Sequence, residues 1–303
     1  MTRRLLITIA CAAVSIGISA NGRTDATGSI VVTVTAANGE SVAGLTVDDF
    51  SVAIDSHGED IVSFAAGPAA LSAVVLLDQS GSVTEITKPD TDPAVQALAV
   101  ALRPEDRIQI GSIASGTSIS PWTTPMKREL EAAFRALPKP APFAASPIWD
   151  AVNAGVRALS AETGRRLVIL VTDGRTTASR LSIDEAATAA INNHVAVSTI
   201  DRGRQQLLRQ DNAGGIAVRA TPSLLWISRG TGGLYYDDQP TAIPVKQSNV
   251  DLSIAHAIRD QRAAYTLTMA VPDDKKFHDI HVRCVDPTRV THAPSVIRAS
   301  TRQ

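Results

Sequence analysis

Cysteine is almost missing from this chain of 303 residues: there are two, Cys11 and Cys284. Cys11 falls inside an apolar N-terminal run. Once that run is removed Cys284 stands alone, which excludes an intramolecular disulfide even in a compartment that permits one. An excess of charge of one sign is missing too. The 29 Lys and Arg nearly balance the 30 Asp and Glu, leaving a formal net charge of −1, and this argues against a nucleic-acid surface. Past the N-terminus no apolar run approaches the roughly 18–20 residues of a membrane-spanning helix. Nor is there an internal repeat or a long low-complexity tract. Stability therefore rests on a hydrophobic core, and a mature chain of roughly 280 residues can build one or two.

The first residues carry an address. Arg3 and Arg4 precede an apolar run over residues 5–19, and Ser19, Ala20 and Asn21 are small or polar. This is the layout of a secretory signal peptide, expected over residues 1–20, and it implies export to a periplasm or to the extracellular space. The paired arginines admit a twin-arginine route. Thr8, Ile9 and Ala10 before Cys11 make a poor context for lipid attachment.

The chain is organised around residues 72–83, S-A-V-V-L-L-D-Q-S-G-S-V. The first half is a continuous apolar run with β-branched valines, the pattern of a strand buried on both faces of a parallel sheet. It stops at Asp78, and Ser80 and Ser82 follow at alternate positions. A loop leaving the carboxyl end of a central strand is where open α/β sheets bind ligands. Hard oxygen donors without Cys or His suit Mg²⁺ or Ca²⁺ rather than zinc or copper.

Around this stretch the periodicity changes twice. Residues 29–66 alternate with period two: Ile30, Val32 and Val34, a turn at Asn38-Gly39, then Phe50, Val52 and Ile54, a turn over residues 55–58, and a third strand to Phe64. Asp55, Glu59 and Asp60 lack calcium-loop spacing and read as a solvated turn. Residues 70–262 alternate strands with helices and predict a doubly wound, mostly parallel sheet. A second apolar strand, L-V-I-L-V-T, again ends at an aspartate, Asp173. Beyond residue 263 the period returns to two, through Tyr265, Leu267, Met269 and Val271 and then Ile280, Val282 and Cys284. The β segments at the two ends, 29–66 and 263–299, are expected to pack together as a small β-sandwich-like domain into which the α/β domain is inserted.

With the loops after Asp78, before Pro147 and after Thr172 at one sheet edge, the chain resembles the von Willebrand factor type A domain. Its metal-ion-dependent adhesion site reads D-x-S-x-S, then a distant hydroxyl residue, then an aspartate ending a later strand. Residues 41–50 and 61–64, with 265–284, are similar to the extensions of a bacterial family related to that domain. The resemblance implies a Rossmann-like fold and a metal site at Asp78, Ser80, Ser82, Ser146 and Asp173. It implies direct ligation by the three serine hydroxyls, with the two aspartates balancing charge. The cation it implies is Mg²⁺, with Mn²⁺ or Ca²⁺ as alternatives, and the partner is a protein that supplies an Asp or Glu to complete the octahedron. The chain departs from the family in having Ser146 for the usual threonine and Ala144-Ala145 for two glycines. It also has Gly174-Arg175-Thr176 where relatives carry more acid.

Each residue also has a plainer role: Ser82 and Ser146 as helix starts, Asp173-Gly174 as a turn. Arg175, Arg180, Arg202, Arg204 and Arg209 lie on loops at the same edge and are expected to form a basic rim that steers an acidic partner. A solvated arginine-rich loop is the alternative. His57 is placed in a turn, and His194 and His256 on helices. His278 and His281 fall on opposite faces of a strand and cannot share one ion. Two other function classes stay open, a scaffold with no metal and a hydrolase using the strand-end aspartate. A phosphatase of that kind needs a second carboxylate two residues on, where Ser80 stands, and the G-x-S-x-G elbow is absent.

Overall fold

The computed structural model describes residues 26–67, 69–80, 91–139, 144–202, 209–210, 216–217, 221–237 and 250–299. The expected signal peptide lies outside them. The chain begins with β1 (Ala26–Thr35), β2 (Phe50–Ile54), β3 (His57–Glu59) and β4 (Ile61–Ala65). Then come β5 (Leu71–Asp78), α1 (Thr91–Ala101), β6 (Arg107–Ile113) and β7 (Thr117–Ile119). Two helices, α2 (Lys127–Arg135) and α3 (Ile148–Leu159), lead to β8 (Arg165–Thr172), α4 (Ile183–Asn192) and β9 (Ala196–Asp201). A two-stranded ribbon, β10 (Arg209–Gln210) with β11 (Ile216–Ala217), precedes α5 (Pro222–Gly230), β12 (Tyr235–Asp237) and α6 (Val250–Ala263). The chain returns to strands with β13 (Tyr265–Val271), β14 (His278–Cys284), β15 (Val290–His292) and β16 (Val296–Ile297).

The central sheet has six strands in the order β12-β9-β8-β5-β6-β7, all parallel but the edge strand β7. Every residue of β5 is buried, as its unbroken apolar run requires. Alternate side chains serve opposite layers. Val74 and Leu76 meet α3, α4 and α5 through Val152, Ala186 and Leu224. Ala73, Val75 and Leu77 meet α1, α2 and α6 through Leu98, Leu130 and Ile254. Each Val, Leu or Ile side chain among them stabilises the fold by about 1.5–3 kcal/mol when removed from water, so two buried faces hold this sheet between its helices.

The two ends of the chain share a second body. β1 pairs antiparallel with β13, and β13 with β4, giving the sheet β15-β1-β13-β4. β14 pairs with β2 and β16 in the sheet β16-β14-β2-β3. The alternation in β13 buries Tyr265, Leu267, Met269 and Val271 against Phe50, Val52 and Ile54 from the other sheet. The Tyr265 ring lies 5.3 Å from Phe50 and 5.7 Å from Phe64, and its hydroxyl donates to the Val42 carbonyl at 2.8 Å.

Side chains fasten the bodies together. Arg165 donates to Thr266 Oγ1 at 3.0 Å and to the Ala264 carbonyl. Asp260 accepts from Ser41 on one side and Tyr236 on the other.

Several local expectations change. Residues 55–58 are not all turn: Asp55 and Ser56 take φ of 48° and 68°, and His57 already pairs with Ile54. Two consecutive positive φ values make the tight hairpin turn whose twist matches the flanking strands, so His57 is on a strand. Asp55 is more than a solvated turn residue, since it accepts from His278 Nδ1 at 2.7 Å and from the Asp279 N–H at 3.1 Å. His194 is not helical. It follows α4 in the left-handed region, with φ of 50°.

Candidate functional site

The carboxyl edge of the central sheet gathers the polar residues that its strands do not bury in the core. Asp78, the last residue of β5, is 5% exposed. Its Oδ1 accepts the Ser80 N–H at 2.9 Å, closing the turn that carries the chain away from the strand. Its Oδ2 accepts two hydroxyls, Ser146 Oγ at 2.9 Å and Thr172 Oγ1 at 2.6 Å. The Gln79 N–H donates to the Ile113 carbonyl and fixes this loop to β6.

Ser146 precedes Pro147 and α3, and it is 1% exposed. The loop after β8 folds over it: Ser146 N donates to Thr177 Oγ1 at 2.8 Å, and the Ser146 carbonyl accepts from the Thr177 N–H at 2.8 Å. Three segments distant in sequence thus converge on one carboxylate. Asp173, 6% exposed, follows Thr172 directly, and its Oδ1 accepts the Arg175 N–H at 3.0 Å. Gly174 has φ of 75° and a Cβ there would meet Thr221 Cγ2 at 2.6 Å, so this turn requires glycine.

The structure brings Asp78, Ser80 and Ser146 into one hydrogen-bonded cluster and sets Asp173 beside it, joined through Thr172 and the Gly174 N–H that bonds the Thr172 hydroxyl at 3.1 Å. Ser82 lies outside the described residues. Of the expected basic rim, Arg175 and Arg180 are exposed. Arg202 departs from it. At 4% exposure it is buried, because its N–H is tied to the Thr172 carbonyl at 2.8 Å in register with β8. Arg204 lies outside the described residues, and Arg209 falls on β10.

Two residues at this edge were not foreseen from sequence. Thr172 shares the Asp78 carboxylate. Asp201 ends β9 fully buried, paired in register with Thr172, and its Oδ2 accepts the Tyr235 hydroxyl at 2.7 Å. Burial first, and then the adjacent Asp201, push the Tyr235 phenol well above its ordinary pKa, so Tyr235 stays a neutral donor. Among the described residues no group of three or more His, Cys, Asp and Glu is placed to hold a metal. The oxygen donors around the Asp78 cluster are the carboxylates of Asp78 and Asp173 with the hydroxyls of Ser80, Ser146 and Thr172, while the third carboxylate of this edge, Asp201, is taken up by Tyr235.

Residues 73–210 match the family model of the von Willebrand factor type A domain. This segment is a von Willebrand factor type A domain. The match starts in β5 and takes in Asp78, Ser146 and Asp173. No curated protein matches the chain. Among solved structures the chain is similar to BatB from Bacteroides thetaiotaomicron, with 20% identity over 63% of this chain and 98% of that one and a TM-score of 0.46. It is similar to a von Willebrand factor type A protein from Catenulispora acidiphila, 11% identical over 91% of this chain and 75% of that one, TM-score 0.45. A third likeness is to the manganese-loaded TRAP protein of Plasmodium vivax, 15% identical over 76% and 95% of the two chains, TM-score 0.42. At these values the likenesses add nothing to the fold argued from strand order. Among the described residues no helix is long and apolar enough to cross a membrane.

Proposed function

We propose that the chain is an exported, metal-dependent protein-binding module of adhesion type. In this reading Asp78, Ser80, Ser82, Ser146 and Asp173 hold Mg²⁺, and the cation captures an acidic residue of a partner protein. The observation that carries it is the 2.9 Å contact between Ser146 Oγ and Asp78 Oδ2, which joins residues 68 positions apart. Oxygens on adjacent corners of a Mg²⁺ octahedron with bonds of about 2.1 Å sit roughly 3.0 Å apart, so the donor set fits. A serine hydroxyl that gives its proton to Asp78 keeps its lone pairs for a cation. Direct ligation by neutral hydroxyls leaves the ion's first shell short of negative charge and open to a foreign carboxylate, and exposed Arg175 and Arg180 favour an acidic partner's approach. A hydrolytic role has no support in the position two beyond Asp78, which is Ser80.

One observation favours a second reading, a scaffold that needs no metal: Asp78 already accepts three hydrogen bonds. Calorimetric titration of Mg²⁺ and Mn²⁺ into the mature chain and into Asp78→Ala separates the two. The binding module requires a saturable heat in the wild type that vanishes in the variant. Absence of heat in both proteins leaves the scaffold.

A further inference from the structure

We propose that the seam between the α/β body and the sandwich is a binding site for a small organic oxyanion, a carboxylate or phosphate on a compact apolar body, held by Arg166, His194 and Arg298. A cavity of about 260 Å³ opens there. It lies at the amino edge of the central sheet, roughly 20 Å along β8 from the Asp78 cluster at about 3.3 Å per residue. Arg166 and His194 reach it from the α/β body, and Ser29, Phe277 and Arg298 from the sandwich. Among the described residues no Asp or Glu lines it. A neighbouring cavity of about 470 Å³ shares Arg166 and His194, and among the described residues no carboxylate lines it either.

The basic groups here lack counter-charges among the described residues. Among the described residues neither Arg166 nor Arg298 forms an ion pair; Arg165 next door donates to Thr266 and to the Ala264 carbonyl through its terminal nitrogens, while its Nε has no partner. The Arg166 Nε is buried with no hydrogen-bond partner, a costly state for a guanidinium unless something else supplies an acceptor. Arg298 stacks over the Phe277 ring at 5.3 Å. The contact holds the cation beside the cavity, and a guanidinium has N–H donors in excess of it to offer a planar oxyanion. Burial first, and then the nearby charges of Arg166 and Arg298, hold the His194 imidazole below its ordinary pKa. An anion in the cavity relieves all three groups together. The volume exceeds that of inorganic phosphate and falls just short of the roughly 300 Å³ at which drug-sized pockets begin. Ile30 and Ile297 add apolar wall. These features select a small organic anion.

The test uses the mature chain with citrate and phosphate as probes, read by melting temperature and calorimetry against sodium chloride at matched ionic strength. Excluded salts stabilise any protein without saturating, so the informative quantity is a saturable part. The expectation is saturable stabilisation by at least one probe in the millimolar range or below, weakened at least tenfold in Arg298→Gln and in Arg166→Gln. Citrate acting alone assigns a carboxylate, phosphate alone a phosphate. If Arg166→Gln does not fold, Arg298→Gln carries the comparison, with the His194 imidazole followed by NMR. The probe should raise the His194 pKa in the wild type and leave it unmoved in Arg298→Gln. Asp78→Ala should keep the anion response, which separates this site from the metal reading. Equal responses in wild type and Arg298→Gln, or no saturable response, overturn the proposal.

Discussion

Thr172→Val isolates the convergence on Asp78 without emptying space, because valine matches threonine in volume and lacks only the hydroxyl. Two hydrogen bonds disappear, the 2.6 Å bond to Asp78 Oδ2 and the 3.1 Å bond accepted from the Gly174 N–H. A bond to an ionised acceptor contributes about 1.5–3 kcal/mol and a neutral one about 0.5–1.5. The added methyl returns up to about 0.8 kcal/mol of apolar burial. The net loss is then about 1–4.5 kcal/mol. For a body of this size each kcal/mol lowers Tm by about 2–4 °C, so the melt should fall by roughly 2–18 °C. Trp122, Trp149 and Trp226 are the only tryptophans and all lie in the α/β body, so intrinsic fluorescence follows the relevant transition. Chelator in the buffer keeps any cation out of the comparison. A change under about 1 °C means that Thr172 does not hold Asp78 and that the cluster described here is wrong.

The remaining predictions concern the sandwich and the sheet edge. His278 bridges Asp55 and Asp274 at 2.7 and 3.0 Å, and these bonds, Asp55 first, raise the His278 pKa; His278 lowers the Asp55 carboxyl, and the Lys276 N–H first and then His278 lower Asp274. The raised histidine contributes stability that is complete below about pH 6.5 and is lost as pH rises through its folded pKa; the lowered carboxyls contribute above about pH 3.9 and lose it as pH falls through theirs. His278→Gln should therefore lower Tm more at pH 5.5 than at pH 8.5, and an equal drop at both refutes the bridge. Tyr265→Phe leaves the Leu45 N–H and the Val42 carbonyl without their partner and should cost about 1–3 kcal/mol in urea denaturation, where a neutral result refutes it. A Cβ on Gly233 would meet the Val197 carbonyl oxygen at 2.1 Å, so Gly233→Ala should detach β12 from β9 and speed amide exchange there; unchanged exchange contradicts the packing.

The architecture was legible where burial is total or strictly half-sided. The unbroken run ending at Asp78 gave a strand with two covered faces, and the alternation from Tyr265 to Val271 gave one with a single covered face. Asp78 announced itself as a carboxylate stopping an apolar run with Ser80 two places on, and Ser146 came in through the family resemblance. Thr172 did not, because it reads as the β-branched end of L-V-I-L-V-T. Its role depends on the register that sets Leu77 opposite Val171 and so the next pair, Asp78 and Thr172, side by side. Register between strands some 90 residues apart is fixed by tertiary packing, and one sequence does not display it. The Asp55–His278 bridge spans 223 positions and is hidden for the same reason. Arg202 shows the opposite failure: a charge in an arginine-rich loop read as exposed, whereas its backbone is stitched to β8 and its side chain is carried inside.

The central claim is that one divalent cation sits among oxygens brought in by separate turns. Crystals of the mature chain grown with Mn²⁺ and measured at the manganese absorption edge test it directly. The account predicts an anomalous peak within bonding distance of the Ser80 and Ser146 hydroxyls, beside Asp78 and Asp173. A fully ordered cluster with no peak there, or a peak elsewhere on the molecule only, contradicts it.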